Sequence, residues 1–214
     1  MSGHFITFEG CDGSGKSTQA RRLAEHLRDL GHEVVLTREP GGSAGAEEIR
    51  ALILNGDADR WSAETELLLF NAARRDHVER VIQPAIDRGA IVICDRYADS
   101  TRVYQGAARA DLRPLVDELH ALMIGLEPDL TVLIDIDPEE SLRRALGRVG
   151  AEERFESMGT EFQRATHAGF SRLVEEFPDR VVRVDGHGAP DDVFDRLLDV
   201  PLIAQLQGAL QHTP

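Results

Sequence analysis

One segment of the chain has the residue types and spacing of a phosphate-binding loop. Residues 10–18 contain the only lysine of the chain, although the sequence has 24 basic residues. In the pattern Gly-x-x-x-x-Gly-Lys-Ser, backbone N–H groups surround phosphate oxygens, the lysine neutralises them, and the serine hydroxyl can ligate Mg²⁺. A compact ammonium suits this task better than a bulkier, planar guanidinium. The residues predicted to bind a nucleoside triphosphate are Gly10, Cys11, Asp12, Gly13, Ser14, Gly15, Lys16, Ser17 and Thr18.

The elements around this loop decide against a chance glycine-rich turn. Residues 5–8, Phe-Ile-Thr-Phe, form a β-rich run that enters the loop. After the loop, apolar residues recur at helical spacing until Gly31, which is a helix stop signal. A strand, a glycine loop and a helix in this order are the context that a phosphate-binding loop requires.

The rest of the chain alternates strand and helix patterns. Strands are predicted at 5–8, 34–36, 90–94, 130–134 and 180–184, and helices at 46–54, 62–88, 112–124, 161–176 and from 191 onward. We expect Pro84 to bend or interrupt the long helix and Asp137 to cap a helix that starts at Pro138. This order predicts an α/β protein with the P-loop nucleoside triphosphate hydrolase fold, a five-stranded parallel sheet with helices on both faces. Residues 1–214 are expected to form a single domain.

A polar segment at about 147–159 carries Arg148 and Arg154 and is predicted to be a lid that closes over the phosphates. From spacing alone, a solvated loop with surface arginines is an equal alternative.

The composition limits the partners. A net charge of −14 argues against a nucleic-acid or anionic-membrane surface, and no apolar stretch approaches the length of a membrane span. Two cysteines suggest no disulfide framework, the eight histidines show no metal-ligand spacing, and no export signal precedes the first strand. We therefore expect a cytoplasmic protein without nucleic-acid or membrane partners.

A phosphate-binding loop alone leaves a phosphoryl-transfer enzyme, a switch and a motor open. A guanine-selective switch normally carries Asn-Lys-x-Asp, which a chain with no second lysine cannot have. Asp95 and Arg96 follow a buried strand, where a carboxylate can approach Mg²⁺ and a guanidinium can bind a second anion. This placement favours transfer to a small acceptor, and a nucleotide-binding regulatory protein is the alternative.

Four separated blocks of this chain resemble the thymidylate kinase family. They are the phosphate loop with its acidic Asp12, residues 37–42 (Thr-Arg-Glu-Pro-Gly-Gly), residues 69–74 (Leu-Phe-Asn-Ala-Ala-Arg), and residues 95–106 beginning Asp-Arg-Tyr. The resemblance implies transfer of the γ-phosphoryl group of ATP to dTMP for dTTP biosynthesis, with Mg²⁺, by a homodimer. A kinase for another pyrimidine monophosphate is the closest alternative.

The resemblance also implies individual roles. Phe70 would stack on thymine and Arg74 would donate to a base carbonyl, whereas the apolar helical run alone would place Phe70 in the core. Asp12 would bind the 3′-hydroxyl, Arg96 with Arg38 would hold the acceptor phosphate, and Tyr104 would pack near C2′. The full set implied to contact dTMP is Asp12, Arg38, Pro40, Phe70, Arg74, Arg96, Ser100, Thr101, Tyr104 and Gln105.

For the transfer itself, Ser17 and Asp95 would serve Mg²⁺. Gly13 stands where some family members carry a catalytic arginine, so Arg148 and Arg154 would supply that charge, as in the bacterial class with lid arginines. The residues implied to be catalytic are Asp12, Lys16, Asp95, Arg96, Arg148 and Arg154.

Overall fold

The computed structural model describes residues 3–56, 60–109, 111–146 and 159–208. Its strands are β1 (His4–Glu9), β2 (Val34–Arg38), β3 (Ile91–Asp95), β4 (Leu130–Asp135) and β5 (Val181–Asp185). They form one five-stranded sheet in the order β2-β3-β1-β4-β5, and every neighbouring pair is parallel. The predicted sheet is confirmed, with strand ends shifted by up to two residues.

The helices are α1 (Lys16–Asp29), α2 (Ala44–Leu54), α3 (Ala63–His77), α4 (Gln83–Asp87), α5 (Ala98–Val103), α6 (Arg113–Met123), α7 (Pro138–Leu146), α8 (Gly159–Glu176), α9 (Pro190–Leu198) and α10 (Pro201–Gly208). The helix predicted at 62–88 is interrupted as expected. A π-helical turn, Val78–Ile82, ends two residues before Pro84. Proline lacks an N–H and its ring clashes with the carbonyl four residues earlier, so a wider turn accommodates it.

Alternating side chains of the sheet pack into different layers. Ile6 and Ile93 belong to the cluster that includes residues of α1, α9 and α10. Phe5 and Val92 point to the opposite face and pack with residues of the π-helical turn and α4. Because successive side chains of a strand face opposite sides, the sheet is covered on both faces, as predicted.

The carboxyl ends of the strands place the chemically interesting loops at one edge of the sheet. β1 leads into the phosphate-binding loop, β2 into residues 39–43, and β3 into Arg96. Gly10 is required here because its φ is 138° and a Cβ would lie 2.5 Å from the carbonyl oxygen of Ile134. At the end of β4, Asp137 caps α7 as predicted, since its Oδ1 accepts from the N–H of Glu139 at 2.9 Å.

The predicted lid and its arginines, Arg148 and Arg154, lie outside the described residues, apart from position 159, which begins α8. Within the described ranges, no helix is both long and apolar enough to cross a membrane.

Candidate active site

The phosphate-binding loop joins β1 to α1 and fixes its lysine. Gly15 stands before the first turn of α1 with a φ of 99°, a conformation that favours glycine. The Lys16 ammonium donates to Oδ1 of Asp12 at 3.2 Å and to the carbonyl oxygen of Cys11 at 3.4 Å. The lysine nitrogen therefore lies inside the loop, where the phosphates of a nucleotide would be bound.

Asp12 joins the loop to the segment after β3. Nη2 of Arg96 donates to Oδ1 of Asp12 at 2.5 Å, and the Tyr104 hydroxyl lies 3.3 Å from the same Nη2 and 3.4 Å from Oδ2 of Asp12. Burial opposes ionisation of Asp12, but Arg96 and Lys16 outweigh it and hold the pKa of this carboxyl well below its usual range. Asp12 is thus a fixed anionic acceptor between two cations.

A buried carboxylate that the sequence analysis missed supports this arrangement. Oε1 of Glu9 accepts from the backbone N–H groups of Tyr97 at 2.8 Å and Ser100 at 3.1 Å, and Oε2 accepts from the Ser100 hydroxyl at 2.6 Å. Arg96 in turn donates to the Ser100 oxygen at 2.9 Å. Arg96 has a φ of 69°, a strained conformation for a residue other than glycine, so the loop needs such a fixed partner.

One cleft adjoins Asp12. Every residue predicted to contact the acceptor lines it, except Arg38. Its lining residues are Asp12, Glu39, Pro40, Leu54, Phe70, Arg74, Arg96, Tyr97, Ser100, Thr101, Tyr104 and Gln105. The family resemblance predicted this position for Phe70, whereas the apolar helical run alone predicted a position in the core.

The end of the cleft formed by α3 combines an aromatic ring with hydrogen-bond donors. Phe70 and Arg74 lie one helical turn apart on α3. Arg74 donates through Nη2 to the Thr101 hydroxyl oxygen at 2.9 Å, and Gln105 lies 3.5 Å from the buried carboxylate of Glu66. A flat heteroaromatic ring could stack on Phe70 and accept from these donors.

A second cleft contains both predicted metal ligands. Ser17 and Asp95 line it together. Within the described part of the chain, Oδ1 of Asp95 is buried without a hydrogen-bond partner. A hydroxyl and a carboxylate with an uncommitted oxygen are ligands that suit Mg²⁺, which usually binds one or two protein groups in addition to water and phosphate.

Arg38 lies in this second cleft, which differs from the expected position beside the acceptor. Its Nη2 donates to both carboxylate oxygens of Glu47 at 3.2 Å, and Glu47 is held by the N–H of Gly42 at 2.9 Å. The side chain is 55% exposed and follows Glu47 away from the acceptor cleft. Contact between Arg38 and an acceptor phosphate stays a prediction.

Cys11 has no sign of a reactive thiol. It is buried, and burial raises its pKa to about 12 despite the nearby Lys16 and Arg96. A thiol of this kind is protonated at neutral pH and is a poor nucleophile. Cys11 therefore acts as a small residue of the loop.

The fold and the two clefts define a class of protein, a P-loop enzyme that binds an acceptor beside the nucleotide phosphates. Residues 8–197 match the family model described as thymidylate kinase. The chain is 64% identical to the thymidylate kinase of Ruegeria pomeroyi, over 94% of this chain and 95% of the relative. It is 66% identical to that of Dinoroseobacter shibae, over 86% of this chain and 89% of the relative.

Among solved structures, the thymidylate kinase from Ehrlichia chaffeensis matches with a TM-score of 0.76 and 35% identity, over 94% of this chain and 99% of that chain. The chain belongs to the thymidylate kinase family, which confirms the resemblance seen in its sequence.

Proposed function

We infer that the chain transfers the γ-phosphoryl group of ATP to dTMP, which yields ADP and dTDP for dTTP biosynthesis. The chain is an ATP:dTMP phosphotransferase because its family, its close relatives and its structural neighbour are thymidylate kinases. The observation that carries the assignment within this structure is the cleft beside the phosphate-binding loop. It has an aromatic ring and Arg74 at one end and the Asp12–Arg96 pair at the other, as a nucleoside monophosphate requires.

The proposed mechanism rests on positioning and charge. Lys16 and the loop amides hold the triphosphate, Arg96 holds the acceptor phosphate, and Asp12 accepts from the 3′-hydroxyl of dTMP. A phosphate oxygen of dTMP then attacks the γ-phosphorus in line. That oxygen is already largely ionised at neutral pH, so no strong base is needed. Catalysis comes chiefly from orientation and electrostatic stabilisation.

Ser17 and Asp95 would hold Mg²⁺ on the triphosphate side, where the ion would neutralise charge on the β- and γ-phosphates. Their shared cleft and the uncommitted oxygen of Asp95 support this assignment. Arg148 and Arg154 remain the proposed lid cations, because Gly13 supplies no side-chain charge in the loop.

The assembly and location are also proposals. We propose a homodimer packed through helices, with α3 as one candidate because Leu68 on it is 59% exposed. The two cysteines are free and buried, which fits a reducing compartment such as the cytoplasm.

The alternatives make different predictions in an assay of ADP release from Mg·ATP. We expect strong turnover with dTMP, weaker turnover with dUMP, and rates near the blank with UMP, CMP, AMP, GMP or no acceptor. Preference for another monophosphate would retain the kinase and discard the thymine pocket. Hydrolysis that does not depend on any acceptor would support the regulatory nucleotide-binding protein, which the family membership does not favour.

A further inference from the structure

Arg74 is held by a chain of buried polar side chains that reaches back to β2. Its Nε donates to Oε2 of Glu39 at 2.7 Å. The other carboxylate oxygen of Glu39 lies 3.1 Å from Nδ1 of His77, and Nε2 of His77 lies 2.7 Å from the hydroxyl of Thr37. The side chains of Arg74, Glu39 and His77 are 3%, 4% and 0% exposed, respectively. This network is therefore almost fully removed from water.

The hydrogen-bonding capacities of these groups fix the direction of the bond between His77 and Glu39. A carboxylate only accepts, so Nδ1 of His77 must donate to Glu39. In the neutral ring, Nε2 then accepts from the Thr37 hydroxyl. His77 thus holds one carboxylate oxygen while Arg74 occupies the other.

This arrangement determines how the Arg74 guanidinium faces the acceptor cleft. Its Nε is bonded to Glu39 and its Nη2 to Thr101, and its Cζ lies 5.1 Å from the centre of the Tyr97 ring. Within the described residues, Nη1 has no bonded protein acceptor, which leaves it as the donor for a ligand. A guanidinium is planar and rigid, so fixing one edge also fixes where the other edge points.

We propose that His77 is a positioning residue for recognition of the nucleobase, acting through Glu39 on Arg74. The proposal rests on the role proposed for Arg74 toward the base. If the His77–Glu39 bond is lost, Glu39 keeps a buried oxygen without its partner and can rotate, and Arg74 loses its fixed orientation. The effect must fall on the affinity for the acceptor base and leave ATP binding unchanged.

Two amides at position 77 separate the two ring nitrogens. In His77→Asn the amide nitrogen takes the place of Nδ1 and can still donate to Glu39. In His77→Gln the amide group reaches the place of Nε2 and loses the contact with Glu39. We expect His77→Gln to raise the KM for dTMP about tenfold, with kcat and the KM for ATP within about twofold. His77→Asn should stay within about twofold of the wild type in all three constants.

A ligand without a base tests whether the effect passes through base recognition. The inhibition constant of 2-deoxyribose 5-phosphate should be the same in both variants, since this molecule has nothing to accept from Arg74. In an Arg74→Ala background, which should itself raise the KM for dTMP, exchanging Asn for Gln at position 77 should have no further effect.

These experiments distinguish the positioning role of His77 from the role of Arg74 toward the base. Equal KM values for dTMP in His77→Asn and His77→Gln would overturn the positioning role, as would an equal weakening of 2-deoxyribose 5-phosphate in His77→Gln. If Arg74→Ala itself leaves the KM for dTMP unchanged, the role of Arg74 toward the base has failed, and the positioning role fails with it.

Discussion

Glu9 should make the stability of the protein depend on pH in a way that a single substitution removes. Its side chain is 0% exposed, and burial raises its pKa from 4.5 to about 7, against the opposing effect of Arg96 and with a smaller contribution from Asp99. The substitution Glu9→Gln removes the titrating group and keeps the shape of the side chain. The glutamine oxygen can still accept from the backbone N–H groups of Tyr97 and Ser100, and the Ser100 hydroxyl can rotate to accept from the new amide.

The direction in which the free energy of unfolding changes with pH follows from the protonation of Glu9 in the folded and unfolded chain. Below pH 4.5 the carboxyl is protonated in the folded and the unfolded chain, so it has no effect on the pH dependence. Between pH 4.5 and about 7 the unfolded chain releases the proton and the folded chain retains it, so the free energy of unfolding falls as pH rises. At about 1.4 kcal/mol per pH unit, the whole fall amounts to about 3 kcal/mol, of which about 2 to 3 kcal/mol lies between pH 5 and pH 8.

The assay is urea unfolding of the wild type and Glu9→Gln at unit steps from pH 5 to pH 8. In the difference between the two free energies of unfolding, the contributions of the other titrating groups cancel because both proteins contain them. We expect the variant to gain about 2 to 3 kcal/mol relative to the wild type between pH 5 and pH 8, whichever of the two is more stable at pH 5. A difference that stays constant across this range would refute the buried, proton-retaining carboxyl.

Three further predictions concern the transfer site. Lys16→Ala should reduce ADP release with dTMP to the blank while leaving thermal unfolding nearly unchanged, because Asp12 keeps Arg96 as a partner; a large loss of thermal stability would instead identify a structural lysine. Arg148→Ala and Arg154→Ala should each lower kcat at least about tenfold with little change in the KM for dTMP, and wild-type turnover in both would remove the lid arginines from the mechanism. Phe70→Ala should raise the KM for dTMP about tenfold or more, since base stacking contributes about 1 to 3 kcal/mol. An unchanged KM for dTMP in steady-state assays would contradict stacking on Phe70.

The elements that could be predicted from the sequence are those with local causes. The phosphate-binding loop depends on glycines and a lysine at fixed spacing, and the strands depend on short apolar runs whose burial follows from the parallel sheet. The interruption at Pro84 likewise has a local steric cause. Such features need no knowledge of distant contacts.

The parts that could not be predicted depend on contacts between segments far apart in the chain. Glu9 ends the buried strand β1, and its partners Tyr97 and Ser100 are about 90 positions later. The eight histidines show no metal-ligand spacing, and this pattern gives no indication that His77 is hydrogen-bonded to Glu39, which lies 38 positions earlier. Nothing in the spacing of either residue indicates these bonds. A single acidic residue at the end of a buried strand was the available signal for Glu9.

The position of the Arg38 side chain also could not be predicted from the family resemblance. The motif at residues 37–42 identified the loop correctly, but the side chain of Arg38 follows Glu47 into the second cleft. The direction of an exposed, flexible guanidinium is set by its neighbouring charges, which the motif alone does not specify.

Direct transfer requires that the phosphate-binding loop holds the ATP phosphates while the adjoining cleft holds dTMP beside them. Incubation of the protein with γ-³²P-labelled ATP, Mg²⁺ and dTMP, followed by separation of the nucleotides, shows where the labelled phosphoryl group goes. We expect the label to appear in dTDP in amounts equal to the ADP formed. Label that appears only as inorganic phosphate, at a rate independent of dTMP, would contradict direct transfer.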